Sequence, residues 1–160
     1  MTKAVTCIFL PERADEAVAF YLETVDDSKI VDEFHFSGPG EGTKTSLWNV
    51  ALGGTPYQFL GAVGASARPT QAFSISLTVD DQESLDRHWD AFVAAGATEV
   101  ACGWLTDHFG VSWQIVPRRF YELVGGTDPA VAQRTVESVW FQEGARIQVD
   151  ALEAAARAGD

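Results

Sequence analysis

Basic residues are scarce in this chain of 160 residues. Eleven Lys and Arg stand against 23 Asp and Glu, so the formal net charge is −12 at pH 7. Nucleic-acid binding needs clustered Lys and Arg to neutralise phosphates, and this balance therefore argues against a nucleic-acid partner. It equally argues against an anionic membrane surface, which attracts polybasic segments. An acidic surface keeps a protein soluble and can also attract a cationic ligand.

Long apolar runs and cysteines are scarce as well. No stretch approaches the roughly 20 apolar residues that a membrane-spanning helix needs. The segment from Met1 to Thr6 lacks the apolar centre and cleavage site of a secretory signal, so we expect a cytoplasmic protein. Cys7 and Cys102 are too few for a disulfide framework and lack the spacing of a metal site, so we expect two free thiols.

One order of strands and helices occurs twice in the sequence. Apolar residues make up 46% of the chain, which is enough for the core of about one domain. In the first half, apolar residues alternate or recur at helical spacing and predict a strand, a helix and three further strands. These elements are predicted at residues 4–10, 14–25, 30–36, 44–52 and 56–62, with turn-forming segments at 37–42 and 53–56.

The second half repeats this order after a turn-prone linker. The strictly alternating segment Phe73–Val79 predicts a half-buried strand. A helix follows, with capping-box-like spacing at Asp80 and Glu83 and a glycine stop at Gly96. Short strands around 98–102 and 111–117 complete the repeat.

Three helices are predicted beyond the second repeat, at 120–124, 130–141 and 151–158. Proline is favoured at the first position of a helix, so Asp128-Pro129 is a credible helix start. We therefore predict an α+β fold in a single domain, residues 1–160. It comprises two β-α-β-β-β modules, at about 4–62 and 72–117, and a helical extension over 118–160.

The most informative segment runs from Cys102 to Pro117 and reads CGWLTDHFGVSWQIVP. Its end predicts a strand whose alternate side chains point to opposite faces, with Ser112 and Gln114 on one face and Trp113 on the other. A buried amide without a hydrogen bond costs about 1–3 kcal/mol. An amide at mid-strand therefore predicts a polar cavity rather than a plain core.

This segment resembles the CGWLxDxxGxSWQIVP signature of the PhnB-like branch of the vicinal oxygen chelate superfamily. Some members of this branch carry the label 3-demethylubiquinone-9 3-methyltransferase, and the superfamily includes glyoxalase I, ring-cleaving dioxygenases and bleomycin-resistance proteins. The repeated modules and the C-terminal helices match the branch too, so the resemblance covers nearly the whole chain. It implies two curved mixed sheets around a cleft.

In metal-dependent relatives, four strands each offer one His or carboxylate side chain to the cleft. By the resemblance, these positions fall here on a thiol, two neutral amides and a hydroxyl: Cys7, Gln58, Ser74 and Gln114. Hard cations prefer carboxylate and carbonyl oxygens, whereas zinc and iron prefer His, Cys or carboxylate ligands. Neutral side-chain oxygens do not offset the dehydration of a divalent ion, so we expect no metal and no other cofactor.

The same positions predict a hydrogen-bonding cleft for a small organic ligand. The expected binding residues are Cys7, Gln58, Ser74, Ser76, Thr78, Ser112 and Gln114, with Trp48 and Trp104 as possible aromatic walls. The alternative is an interior polar network that binds no ligand, with tryptophans that belong to the core.

Histidines are the candidate acid–base residues, because the ordinary pKa of histidine lies near neutral pH. His35 and His108 are the two catalytic candidates, and for each a structural or solvent-exposed role is the alternative. His88 lies within the predicted second helix and is expected at the surface. Cys7 as a nucleophile would need a neighbouring base, and the sequence shows none beside it.

Two functions stay open. The first is a metal-independent isomerase or lyase for a small oxygenated or aromatic metabolite, whose cleft stabilises an enolate or oxyanion by hydrogen bonds. The second is a non-catalytic protein that sequesters a small molecule, as bleomycin-resistance proteins do. The glycine-rich segment at 38–42 lacks the GxGxxG order, so it does not support a dinucleotide or S-adenosylmethionine site. The resemblance also implies a homodimer, which the apolar segment Val139-Trp140-Phe141 supports.

Overall fold

A computed structural model of the chain describes residues 2, 4–37, 40, 42–64 and 66–158, and part of the predicted turn at 37–42 lies outside the described residues. The chain divides into two compact units, Met1–Thr70 (unit 1) and Gln71–Asp160 (unit 2). Within the described residues there are eight strands and five helices. They are β1 Thr6–Phe9, α1 Ala14–Thr24, β2 Lys29–Ser37, β3 Lys44–Leu52, β4 Thr55–Ala62, β5 Ser74–Val79, α2 Gln82–Ala94, β6 Thr98–Glu99, β7 Trp104–Thr106, β8 Ser112–Pro117, α3 Arg118–Val124, α4 Pro129–Trp140 and α5 Val149–Arg157.

Unit 1 is a four-stranded mixed sheet covered on one face by α1. The strand order is β1-β4-β3-β2, with β1 parallel to β4 and the other pairs antiparallel. Tyr21 of α1 and Phe59 of β4 are both fully buried, and their ring centroids lie 5.4 Å apart. Gly61 allows this close approach, because a Cβ there would lie 2.9 Å from the Cβ of Ala14.

Unit 2 repeats this arrangement with the strand order β5-β8-β7-β6, in which β5 is parallel to β8. The helix α2 begins at Asp81, whose side chain accepts a hydrogen bond from the Ser84 amide at 2.8 Å. The N-cap is therefore Asp81, one residue beyond the predicted Asp80. Phe92 packs on Trp113 with ring centroids 4.8 Å apart, and both side chains are fully buried.

Two sequence predictions in unit 2 are wrong. The strand predicted at 98–102 is only Thr98–Glu99, and β7 lies beyond it because Cys102 and Gly103 adopt positive φ values of 53° and 82° that turn the chain. His88, expected at the surface, is 3% exposed. It shares the buried stripe of α2 with Leu85 and Phe92, at i−3 and i+4, and its Nδ1 lies 2.7 Å from the Ser84 carbonyl oxygen.

The predicted C-terminal helical extension is present and packs within unit 2. The side chain of Gln82 in α2 contacts this extension, because its Oε1 accepts a hydrogen bond from the Val149 amide at 2.8 Å. Arg146 of the extension forms hydrogen bonds to Asp86 and Asp90 of the same helix. The α+β fold of two mixed sheets with C-terminal helices confirms the fold class predicted from the sequence. Among the described residues, no helix is long and apolar enough to cross a membrane.

Candidate functional site

One face of the unit 2 sheet carries most of the predicted binding residues. Ser74 pairs with Ser112 across the β5–β8 ladder, and Gln114 pairs with Ser76 on one side and with Trp104 on the other. Directly paired residues point to the same face of a sheet, so these five side chains share a surface, here called the polar face. The alternation predicted for Ser112 and Gln114 is confirmed by this register.

Some side chains of the polar face are hydrogen-bonded to described residues, whereas the hydroxyl of Ser112 is not. The Gln114 Nε2 donates to Ser74 Oγ at 2.7 Å. Ser76 Oγ lies 3.3 Å from the hydroxyl of Tyr121, which follows in α3. Ser112 is 1% exposed, and within the described part of the chain its Oγ has no hydrogen-bond partner. An unsatisfied buried hydroxyl costs about 1–3 kcal/mol, so this group calls for a water or ligand partner.

Unit 1 places the other two predicted ligand positions side by side on its sheet. Cys7 and Gln58 are partners in the β1–β4 ladder. Gln58 Nε2 donates to Asn49 Oδ1 at 2.9 Å, and Asn49 Nδ2 donates to Asp32 Oδ2 at 3.2 Å. These four side chains, here called the amide row, run across the sheet. Burial raises the pKa of the Cys7 thiol, which keeps it protonated at neutral pH and argues against a thiolate nucleophile.

His35 and Trp48 lie on the opposite face of that sheet from the amide row. His35 pairs with Ser46, and Trp48 pairs with Glu33 and Phe59, on the face that α1 covers. His35 Nε2 is 2.7 Å from Glu33 Oε1, and its Nδ1 is 3.0 Å from Ser46 Oγ. The structure therefore brings His35 and Trp48 together, and the strand alternation separates them from Cys7 and Gln58.

A cavity of about 530 Å³ opens beside these residues, between α1 and the strands of unit 1. Its lining, which defines the α1 cavity, includes Glu12, Ala14, Asp15, Val18, Leu22, Glu33, His35, Lys44, Ser46 and Trp48. Trp48 is only 5% exposed, so it forms part of the core as well as of the cavity wall.

His108 sits in the loop between β7 and β8. Its ring centroid lies 3.8 Å from that of Phe109, and a Cβ at Gly96 would lie 3.9 Å from the His108 Cβ. Because Gly96 directly follows α2, His108 lies beside the end of that helix.

The Asp107 carboxylate accepts hydrogen bonds from several residues of the signature segment, and these bonds account for part of its sequence. Oδ1 accepts from the backbone amides of Phe109 and Val111 at 2.9 Å each, and Oδ2 accepts from Trp113 Nε1 at 2.9 Å. The carboxyl is 4% exposed, and Gly110 within this turn has φ of 88°. The Asp, Gly and Trp of the motif therefore hold the turn before β8 in place.

The donor set at the four superfamily ligand positions does not fit a metal ion. One protonated thiol, two amides and one hydroxyl supply no carboxylate or imidazole, which divalent ions prefer. Two of these groups, Gln114 and Ser74, are already bonded to each other.

Sequence reasoning missed several groups around these sites. Asp32 and Asn49 extend the amide row, and Tyr121 reaches Ser76 from α3. Glu33 and His35 are two residues apart in a predicted strand, so the sequence indicates that their side chains share a face. The partner Ser46 depends on the register between β2 and β3, which the sequence of one strand does not reveal.

The chain is similar to known proteins in both sequence and structure. The model of the family described as 3-demethylubiquinone-9 3-methyltransferase matches residues 2–116. No curated protein matches the chain. A solved structure described as a 3-demethylubiquinone-9 3-methyltransferase, PhnB protein, from Bacillus cereus is 26% identical with a TM-score of 0.59, covering 72% of this chain and 99% of that one.

Two other solved structures are similar at lower identity. A glyoxalase family protein from Bacillus cereus is 12% identical with a TM-score of 0.53, covering 73% of this chain and 93% of that one. The fosfomycin resistance protein FosX from Listeria monocytogenes, complexed with Mn(II) and sulfate, is 12% identical with a TM-score of 0.48. The match covers 71% of this chain and 89% of that one.

Proposed function

We propose that this chain, which belongs to the 3-demethylubiquinone-9 3-methyltransferase family, binds a small oxygenated or aromatic molecule without a metal ion. The observation that carries the proposal is the polar face of unit 2. There the Gln114 amide, bonded to Ser74, lies beside the buried and unsatisfied hydroxyl of Ser112. A carbonyl or hydroxyl group of a ligand would satisfy that hydroxyl.

The chemistry of the polar face sets the class of ligand. Its amide and hydroxyl groups are neutral, and they match hydroxyl and carbonyl groups without the desolvation cost of an ion. Trp104, half-buried and paired with Gln114, adds an aromatic surface for a ring or an apolar chain. The net charge of −12 also favours a ligand that carries a positive charge elsewhere.

Replacing Gln114 by Leu tests this site. Leu keeps the approximate volume but removes the amide, so affinity should fall by roughly 5- to 150-fold, the equivalent of one unsatisfied polar partner. Tryptophan fluorescence titration against phenols, α-keto acids and cationic antibiotics measures the affinity, and thermal melts of the same samples measure stability. Gln133→Leu, on the exposed surface of α4, is the matched control. Unchanged affinity with a lowered melting temperature would assign Gln114 a purely structural role.

Turnover as an isomerase or lyase is the second candidate, and Tyr121 is the observation that favours it. Its hydroxyl lies 3.3 Å from Ser76 Oγ at the polar face and can donate a proton to a developing enolate oxygen. Tyr121→Phe should then abolish product formation from a bound compound, followed by NMR, while its affinity stays within a few-fold. If compounds bind and none is converted, the protein sequesters its ligand. His35 and His108 stay predictions as catalytic residues.

The metal-free part of the proposal has its own test. Elemental analysis of the protein purified without chelator should find no stoichiometric zinc, iron, manganese or nickel. About one such ion per chain, lost in Gln114→Ala, would contradict it.

A cytoplasmic homodimer is part of the same proposal. Trp140 and Phe141, at the end of α4, are 61% and 80% exposed, more than a solvent-facing helix end requires. Sedimentation at tens of micromolar should give the mass of a dimer, and Phe141→Ser should weaken it. A monomeric wild type at that concentration would contradict this part alone.

A further inference from the structure

The α1 cavity holds a group of side chains that the proposed function does not use. His35 lies between Glu33 and Ser46, with Nε2 2.7 Å from Glu33 Oε1 and Nδ1 3.0 Å from Ser46 Oγ. All three residues line the cavity, on the sheet face opposite the amide row. This group is therefore distinct from the superfamily ligand positions.

The direction of the two hydrogen bonds follows from the groups themselves. An ionised carboxylate can only accept, so His35 Nε2 carries the proton and donates to Glu33. In the neutral form of the imidazole the lone pair then lies on Nδ1, where it is placed to accept the hydroxyl proton of Ser46. A serine whose proton points at a base, with a third group orienting that base, is the arrangement that activates a nucleophile.

The sheet fixes this arrangement. His35 and Ser46 are direct partners in the β2–β3 ladder, and Glu33 precedes His35 by two residues on the same face. The Trp48 ring meets the His35 ring at 87° with centroids 5.9 Å apart, and the His35 side chain is 61% exposed. Sites built on strands are held more precisely than sites on loops.

The α1 cavity beside Ser46 has an apolar wall and one cationic side chain, and the carboxylates of Glu12 and Asp15 also line it. The side chains of Ala14, Val18 and Leu22 line it from α1, and Lys44 lines it from β3. An acyl chain would contact the α1 residues. The ammonium group of Lys44 supplies charge that stabilises an oxyanion forming on the carbonyl oxygen.

We propose that Ser46 is an acyl-accepting nucleophile for a small carboxylic ester with an apolar acyl chain. Ser46 Oγ forms a bond to the carbonyl carbon as its proton passes to His35 Nδ1. The bond from that carbon to the ester oxygen breaks, and the alcohol leaves with the proton. Water, deprotonated by His35 in the same way, then attacks the acyl-serine and releases the carboxylic acid and free Ser46.

The experiment uses the full chain with two probes, p-nitrophenyl butyrate and a fluorophosphonate. The wild type should release nitrophenol, and peptide mass spectrometry should find the phosphonyl group on Ser46. Ser46→Ala and His35→Gln should each lower the rate of nitrophenol release by about 100-fold, the low end for general-base catalysis. Ser37 is the control, because it lies two residues beyond His35 on the same face of β2 and Ser37→Ala should keep the wild-type rate.

Three results would overturn the proposal. The first is a wild type that neither hydrolyses the ester above the buffer rate nor reacts with the fluorophosphonate. The second is a Ser46→Ala variant that keeps the wild-type rate. The third is an adduct on Lys44, Cys7 or another residue in place of Ser46. Melting temperatures within a few degrees of wild type show that any loss of rate is not a loss of fold.

Discussion

The two units share one order of elements, but their helix-covered faces differ. In unit 1, β2 and β3 have nine residues each, which makes them about 30 Å long. The α1 helix has 11 residues and a length of about 16 Å, about half the length of that ribbon. The α1 cavity lies between this helix and the strands, beside His35 and Ser46.

In unit 2, α2 is about as long as β8, on which it packs, while β6 and β7 occupy the places of β2 and β3 in the strand order. The helix α2 has 13 residues and β8 has six, and each is about 20 Å long. β6 and β7 have only two and three residues, and the chain before α5 packs beside them, with the Gly103 amide donating to the Ala145 carbonyl oxygen at 2.7 Å. The strands at the places of β2 and β3 are thus much shorter in unit 2, where Phe92 and Trp113 are fully buried on the helix-covered face.

The largest expected effect tests this contrast with one tryptophan from each unit. Trp113 is fully buried against Phe92 and donates to Asp107, so Trp113→Ala should lower the free energy of unfolding by about 3–5 kcal/mol. Trp48 borders the α1 cavity, so Trp48→Ala should cost less. Urea unfolding followed by circular dichroism measures both. Equal losses would show that the α1 face is as tightly packed as the α2 face.

Two glycines with positive φ give the next largest effect. Gly54 in unit 1 has φ of 77° and open space around it, so Gly54→Ala should cost only the left-handed strain of about 1–2 kcal/mol. Gly103 in unit 2 has φ of 82°, and a Cβ there would lie 2.8 Å from Ile147 Cδ1. Gly103→Ala should therefore cost a further 1–3 kcal/mol or so for overpacking. If the two losses in unfolding free energy agree, the C-terminal segment does not pack as closely on β7 as described.

The smallest effect concerns the ion pair between α3 and α5. Its hydrogen bond to Arg119 lowers the pKa of the Glu153 carboxyl below its ordinary value. A pKa that is lower in the folded state contributes stability above the ordinary carboxyl pKa, about 4.3, and this stability is lost as pH falls through the lowered value. Glu153→Gln should cost less than about 1 kcal/mol at pH 7, because the pair is partly exposed. Unfolding curves at pH 7 and pH 3 check this, and a cost that persists at pH 3 would contradict an electrostatic origin.

Local sequence patterns predicted most of the fold, because strands and helices follow from short-range periodicity. The strand predicted at 98–102 failed for a local reason as well, since the positive φ of Cys102 ends the strand and a non-glycine residue gives little warning of it. The burial of His88 was missed although its spacing from Leu85 and Phe92 places it on the buried stripe.

The candidate site was only half predictable. Alternation within one strand placed Ser112 and Gln114 on a shared face. The separation of His35 from Gln58 could not be predicted, because it depends on a bulge between Ile30 and Asp32 and on the register across two further strands. A shift of one residue in such a pairing exchanges the two faces of a strand.

The carboxylate of Asp107 has a consequence for how this fold can acquire new ligands. The hydrogen bonds that it accepts from Phe109, Val111 and Trp113 end within residues 109–113, and Trp113 points to the face opposite Gln114. Asp107 secures the turn, and none of these bonds involves Gln114 of the proposed binding face. A substitution at Gln114 therefore removes none of them, so the chemistry of that face can be changed while the turn keeps its anchor.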